Sequence, residues 1–403
     1  MILFTLAYVQ EKLADPQVRQ TLERAADSSV DYCFPHRLEE MLVLKWALAK
    51  ASDVSKPSYL LGNLLYDRRR YEEAIHHWEN ATKGAPSFAT VHRNLGIAYF
   101  NVHRDPDRAL NSFEAAFAAN PLDARILYER DQLWKRTGRP PLERLSELLR
   151  YPDLVDARDD LSVEVATLLN QTGNPDDALQ LLLRRHFQPW EGGEGLVLGQ
   201  YARTRLLLGR NALDSEDYPH ARDQFFAALQ PPQNLSEAKH LLANQSDIYF
   251  WLGESFARMG DHERARTWWL RAARQKGNFQ QMSVQDVSEM TFWTGLALDR
   301  LARPDEAAAL FNRIYDHALK LEATKPKIDY FATSLPTMLL FEEDLDRRNH
   351  IDALFLRAQA LAGLGRIDES QNVLNEVLKL DCNHAGAVDL LNKAGSLRIE
   401  STR

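Results

Sequence analysis

A small residue, a second small residue twelve or thirteen positions later, and a bulky apolar residue four beyond that recur together seven times along this chain. The triples are Gly62/Ala74/Trp78, Gly96/Ala109/Phe113, Ala166/Ala178/Leu182, Gly209/Ala221/Phe225, Gly253/Ala265/Trp269, Gly295/Ala307/Phe311 and Ala358/Ser370/Leu374. Three residues past the bulky one, Ala81, Ala116, Ala228 and Ala272 continue the pattern. Small side chains at this spacing let two antiparallel helices cross closely, and the bulky residue fills the gap to the next pair. A chain of 403 residues exceeds the size at which one core keeps growing. A stack of helix pairs escapes that limit, because each pair buries surface only against its neighbours. The expected fold class is all-α, an α-solenoid of antiparallel helix pairs.

This spacing resembles the tetratricopeptide repeat, a helix–turn–helix unit of about 34 residues. The resemblance implies a right-handed superhelix in one continuous domain. Regular units are expected at residues 55–88 and 89–121, followed by a degenerate one, so that 55–158 forms one segment. Within 159–350 the small residues lie 42 to 44 positions apart, leaving roughly eight to ten extra residues per unit for longer helices or loops. Those inserts fall at 188–195, 231–244 and 277–286, with a longer, partly helical one at 322–350. Residues 351–403 supply the last repeat and a capping helix over 384–397. Residues 1–54 read as helices of a truncated or irregular repeat, at 16–26 and 37–51. No polar cap opens the array, so the start looks cut from something larger.

Hydrophobic content of 45% excludes a largely disordered chain. A net charge of −8 argues against a nucleic-acid partner. No apolar run approaches the ~18 residues that span a bilayer, so no membrane partner is expected. The only cysteines, Cys33 and Cys382, are far apart and lack metal-ligand spacing; a reducing cytoplasmic compartment is the expectation. The adjacent His76 and His77 point about 100° apart on a helix and cannot share a metal. No metal and no cofactor are expected.

Several segments are more specific than repeat spacing. They are Phe34-Pro35-His36-Arg37-Leu38-Glu39-Glu40, Leu61-Gly62-Asn63-Leu64-Leu65-Tyr66-Asp67, Val91-His92-Arg93-Asn94-Leu95-Gly96, Arg158-Asp159-Asp160-Leu161 and Pro189-Trp190-Glu191-Gly192-Gly193-Glu194-Gly195. Together they resemble the C-terminal repeat region of large, uncharacterised bacterial proteins that carry an N-terminal β-rich domain of unknown function. Such a domain, thought similar to sugar-binding β-sandwiches, is thereby implied as a partner, and with it a carbohydrate connection. No catalytic residue comes with the resemblance.

Two groups of residues are candidate ligand sites. Tyr59, Asn63, Tyr66, Arg93, Asn94, Phe100 and Asn101 share the inner face of the first two regular units. In tetratricopeptide domains that grip C-terminal carboxylates, two asparagines and three cations converge there. Asn63 and Asn94 occupy the asparagine positions. Tyr59 stands at the first lysine position, and in the blurred third register Glu129 stands opposite Arg125 where a second cation belongs, which disfavours a carboxylate clamp. The other group is the loop 190–195, where Trp190 offers a flat face and Glu191 and Glu194 flank two glycines. It reads either as a connector whose tryptophan plugs a seam or as a ligand loop. Glu191 and Glu194 are a weak candidate for paired carboxylate chemistry, which needs an enclosing cleft. The chain is expected to be a non-enzymatic scaffold binding a protein or peptide; the alternative is an accessory part of a carbohydrate-binding or carbohydrate-active protein.

Overall fold

The computed structural model describes residues 1–190, 192–280, 283–326 and 340–392. They divide into two compact units, Met1–Thr137 with Leu340–Glu342, and Gly138–Leu339 with Glu343–Arg403.

The first unit holds α1 (Ile2–Lys12), α2 (Val18–Asp27), α3 (Leu38–Lys50), α4 (Ser55–Asp67), α5 (Tyr71–Gly84), α6 (Ala89–Asn101), α7 (Pro106–Ala119) and α8 (Ala124–Arg136). Helices α4/α5 and α6/α7 are the two regular pairs. Their crossings follow the small-residue pattern: Ala74, Ala81, Ala109 and Ala116 are fully buried. A Cβ on Gly62 would lie 2.4 Å from Trp78 Nε1, so only glycine permits this approach. Two of these helices start where an aspartate accepts the orphan N–H groups of the first turn: Asp105 caps α7 through Arg108 N, and Asp123 caps α8 through Arg125 N and Ile126 N. The N-terminal helix α1 buries Phe4 and Ala7 on one face while Ile2, Leu6 and Val9 on the other stay exposed. Leu13, Tyr32, Phe34, Leu38 and Leu42 of this unit are exposed as well.

The second unit holds α9 (Pro141–Leu148), α10 (Pro152–Ala157), α11 (Asp159–Gln171), α12 (Pro175–Arg184), α13 (Leu196–Asp214), α14 (Tyr218–Leu229), α15 (Ser246–Arg258), α16 (His262–Ala273), α17 (Thr291–Arg300), α18 (Pro304–Ala323), α19 (Leu345–Gly363), α20 (Ile367–Leu380) and α21 (Ala385–Leu391). The stretched spacing up to Gly295 comes from the 19-residue α13 and from long connections before α13, α15 and α17, while α18 and α19, of 20 and 19 residues, lengthen the units after it. The insert at 277–286 is a hairpin, β1 (Asn278–Gln280) paired antiparallel with β2 (Ser283–Gln285). Of the 322–350 insert, residues 322–323 close α18, the described residues 324–326 and 340–344 are irregular, and Leu345 begins α19.

A contiguous apolar core runs through this unit from α13 to α21, with Phe225, Phe292, Phe311 and Leu374 almost fully buried. The last pair also returns to the unit's first helices. Arg144 of α9, with no exposed surface, donates to Glu164 at 2.6 Å and to Asn383 at 2.7 Å. Arg203 of α13 forks onto Asp389 of α21 with two bonds of 2.8 Å. Charge-assisted forks of this kind fix orientation as well as distance. Among the described residues, no helix is long and apolar enough to cross a membrane.

Candidate functional site

Helices α4, α6 and α8 form a row in the first unit, and their polar side chains join across it. Asn63 Oδ1 accepts from Trp78 Nε1 at 3.0 Å and from Asn94 Nδ2 at 3.1 Å. Arg93 Nη1 donates to Asn94 Oδ1 at 3.2 Å and, through Nη2, to Glu129 Oε1 at 2.6 Å. Arg125 Nε reaches the same Glu129 oxygen at 2.8 Å. Glu129 is buried, and its carboxylate is shared between two guanidinium groups, so it is neither a free base nor a cation-site vacancy. Tyr59 packs on Phe88 with ring centroids 4.8 Å apart, and burial raises its phenol above the usual range. Tyr59, Asn63, Arg93 and Asn94 therefore bind one another's helices together.

Phe100 and Asn101, the last two residues of α6, behave differently. The Asn101 amide donates from Nδ2 to the Leu340 carbonyl at 3.0 Å and accepts from the Glu342 N–H at 2.9 Å. Between these two bonds, Phe341 is completely buried. Its ring lies 5.2 Å from that of Phe100 and 5.7 Å from that of Phe113 on α7, centroid to centroid. The Arg136 guanidinium stands 5.5 Å from the same ring. Arg104, in the turn after α6, pairs with Glu342 at 2.5 Å. Tyr66 borders this group; its phenol is pushed up by burial and by Tyr71, while the Asn101 amide opposes the rise. A side-chain amide that satisfies a carbonyl and an N–H on either side of one residue recognises main chain, whatever its sequence.

Of the residues expected on this face, Phe100, Asn101 and Tyr66 meet at one site. The sequence reading did not include Arg104 or Arg136, and it placed Phe113 only as a seam filler. The signal for the bound segment is the string Leu340-Phe341-Glu342-Glu343-Asp344, an aromatic followed by acidic residues inside an insert.

In the second unit, the loop 190–195 packs on itself. Trp190 is half-buried, and its ring covers Gly193 so closely that a Cβ there would lie 2.0 Å from Cε2. Gly193 N–H donates to the Trp190 carbonyl at 3.1 Å, and Gly192 N–H to Glu194 Oε2 at 2.9 Å. Gly192 and Gly195 take φ of 82° and 77°, which suits glycine. Gly195 N–H donates to Glu237 Oε1 at 3.2 Å. Burial pushes Glu237 up, against the pull of Gly195 N–H. Glu194 thus serves a turn, and Glu191 lies outside the described residues.

Family profiles described as "TPR repeat" and "Tetratricopeptide repeat" match residues 62–102, 102–159 and 351–384. Among solved structures, a tetratricopeptide repeat protein from Parabacteroides merdae ATCC 43184 is similar at 15% identity, covering 73% of this chain and 97% of that one, with a TM-score of 0.34. YrrB, a TPR protein with an unusual peptide-binding site, aligns at 17% identity over 57% of this chain and 90% of its own, with a TM-score of 0.21. The type IV pilus biogenesis factor PilW aligns at 18% identity over 55% and 93%, with a TM-score of 0.29. Scores this low place no constraint on how the helix pairs of this chain are arranged. With its small-residue crossings, the protein is an all-α array of antiparallel helix pairs, and residues 62–159 and 351–384 of it match tetratricopeptide-repeat profiles.

Proposed function

We propose that this chain is a non-enzymatic scaffold that binds a protein partner by taking up one of its peptide segments on the α4–α6–α8 face of the first unit. The supporting observation is the pair of bonds from Asn101 to the Leu340 carbonyl and the Glu342 N–H. A paired acceptor and donor aimed at main chain provide affinity, and the aromatic pocket beside them provides selection.

The test is to pan a library of random twelve-residue peptides against the full chain carrying Phe341→Ala, which frees the space beside Asn101. Enriched peptides are expected to lose at least ten-fold in affinity on Asn101→Ala. Peptides that bind both proteins equally would place the binding surface elsewhere, and failure to enrich any would remove the reading.

A further inference from the structure

We propose that Leu340–Glu342 is a ligand held in cis, and that the Asn101 site takes, in trans, a partner segment of the same chemistry: any residue, then phenylalanine, then an acidic residue. This rests on the peptide-binding reading above and adds to it the ligand class and its regulation.

Each position of the segment meets a different kind of contact. The Leu340 carbonyl and the Glu342 N–H are held by Asn101, a contact that tolerates any side chain. Phe341 enters a space walled by Phe100 and Phe113 and faced by the Arg136 guanidinium. A flat aromatic satisfies edge and face contacts on all three sides, which an aliphatic side chain cannot. Glu342 and Arg104 are both well exposed, so their ion pair contributes mainly direction and choice of partner, favouring acids and opposing bases.

The segment reaches this site from far along the chain. Asn101 and Leu340 are 239 residues apart in sequence, yet Leu340–Glu342 belongs to the first unit while Glu343 and the helices after it belong to the second. The segment is irregular rather than helical, so its main-chain groups are open to side-chain partners. A ligand that belongs to the same chain competes as an intramolecular group, at an effective concentration independent of the protein's own. A partner must therefore outcompete Phe341, and anything that withdraws the segment exposes the site.

The experiment uses the full chain and a fluorescein-labelled synthetic peptide spanning residues 338–345, read by anisotropy. Wild-type protein is expected to bind this probe weakly. Phe341→Ala, which empties the aromatic space, is expected to bind it at least ten-fold tighter. Glu342→Arg changes only an exposed residue and keeps the fold; it is expected to give a several-fold gain. Adding Asn101→Ala to either variant should abolish the gain, as should a probe whose phenylalanine is alanine. Circular dichroism verifies that each variant is folded. Equal, tight binding by wild type and both variants would show an open site, overturning the cis-ligand inference while leaving the peptide-binding reading intact. No binding by any folded variant would make Leu340–Glu342 a fixed part of the fold and overturn the inference. In that event the peptide library alone decides the broader reading.

Discussion

Phe113 covers Gly96 so closely that a Cβ on the glycine would lie 2.5 Å from its ring. The same ring stands 5.7 Å from Phe341. One side chain thus closes a repeat crossing and forms a wall of the space that holds Phe341, so the packing of α6 on α7 sets the width of that space. Gly96→Ala forces that ring to move. The expected loss is about 1–3 kcal/mol in urea unfolding. An unchanged unfolding midpoint and slope would show that the crossing is looser than this geometry states.

Glu129 is the single counter-charge shared by two arginines, Arg93 and Arg125, and is itself buried. Glu129→Gln keeps the shape and removes the carboxylate, leaving the largely buried Arg93 without its counter-charge. Breaking such a pair from one side is expected to destabilise by about 2–3 kcal/mol, below the range for a fully buried pair because Arg125 is exposed. Thermal unfolding of the variant checks it; a change under ~0.5 kcal/mol would mean that the carboxylate does not tie α6 to α8.

Asp247, near the start of α15, is raised from 3.8 to about 6 by burial, against the pull of the Ile248 N–H and Lys239. Glu289, raised chiefly by burial, is raised further by the Asp247 charge. An acid whose folded value lies above its unfolded value penalises the fold once ionised. The penalty is absent below pH ~4, grows between the two values and is complete above about 6. Asp247→Asn is therefore expected to stabilise the chain at pH 7.5 by on the order of 1 kcal/mol, and to have no effect at pH 4. Urea titrations of both proteins at the two pH values test this. A variant less stable at pH 7.5 would reverse the sign.

Trp190 rests on Gly193 of its own loop and is half-buried. Trp190→Ala is expected to lower stability by only about 1 kcal/mol, well short of the ~3–5 kcal/mol for a fully buried tryptophan. A loss in the higher range, measured by chemical unfolding, would show that the ring plugs a seam between helix pairs.

The crossings were legible in the sequence because their cause is local. Gly62 and Trp78, or Gly295 and Phe311, face each other within one hairpin, and the turn length fixes their spacing. Phe100, Asn101 and Tyr66 could be assigned to one face for the same reason: helical periodicity alone places them there. Periodicity could not say which residues of that face hold helix to helix. Asn63, Arg93, Asn94 and Glu129 do so because α4, α6 and α8 come within side-chain reach of one another.

What only the tertiary structure decided are the pairings across hundreds of residues: Asn101 with Leu340 and Glu342 in the first unit, and Arg144 with Asn383 and Arg203 with Asp389 in the second. Each joins segments with many helices and irregular inserts of varying length between them. No spacing in the sequence encodes such a contact. A repeat specifies contact with its neighbour, because its small-residue pattern is local, whereas a pairing between distant segments is written in no local pattern.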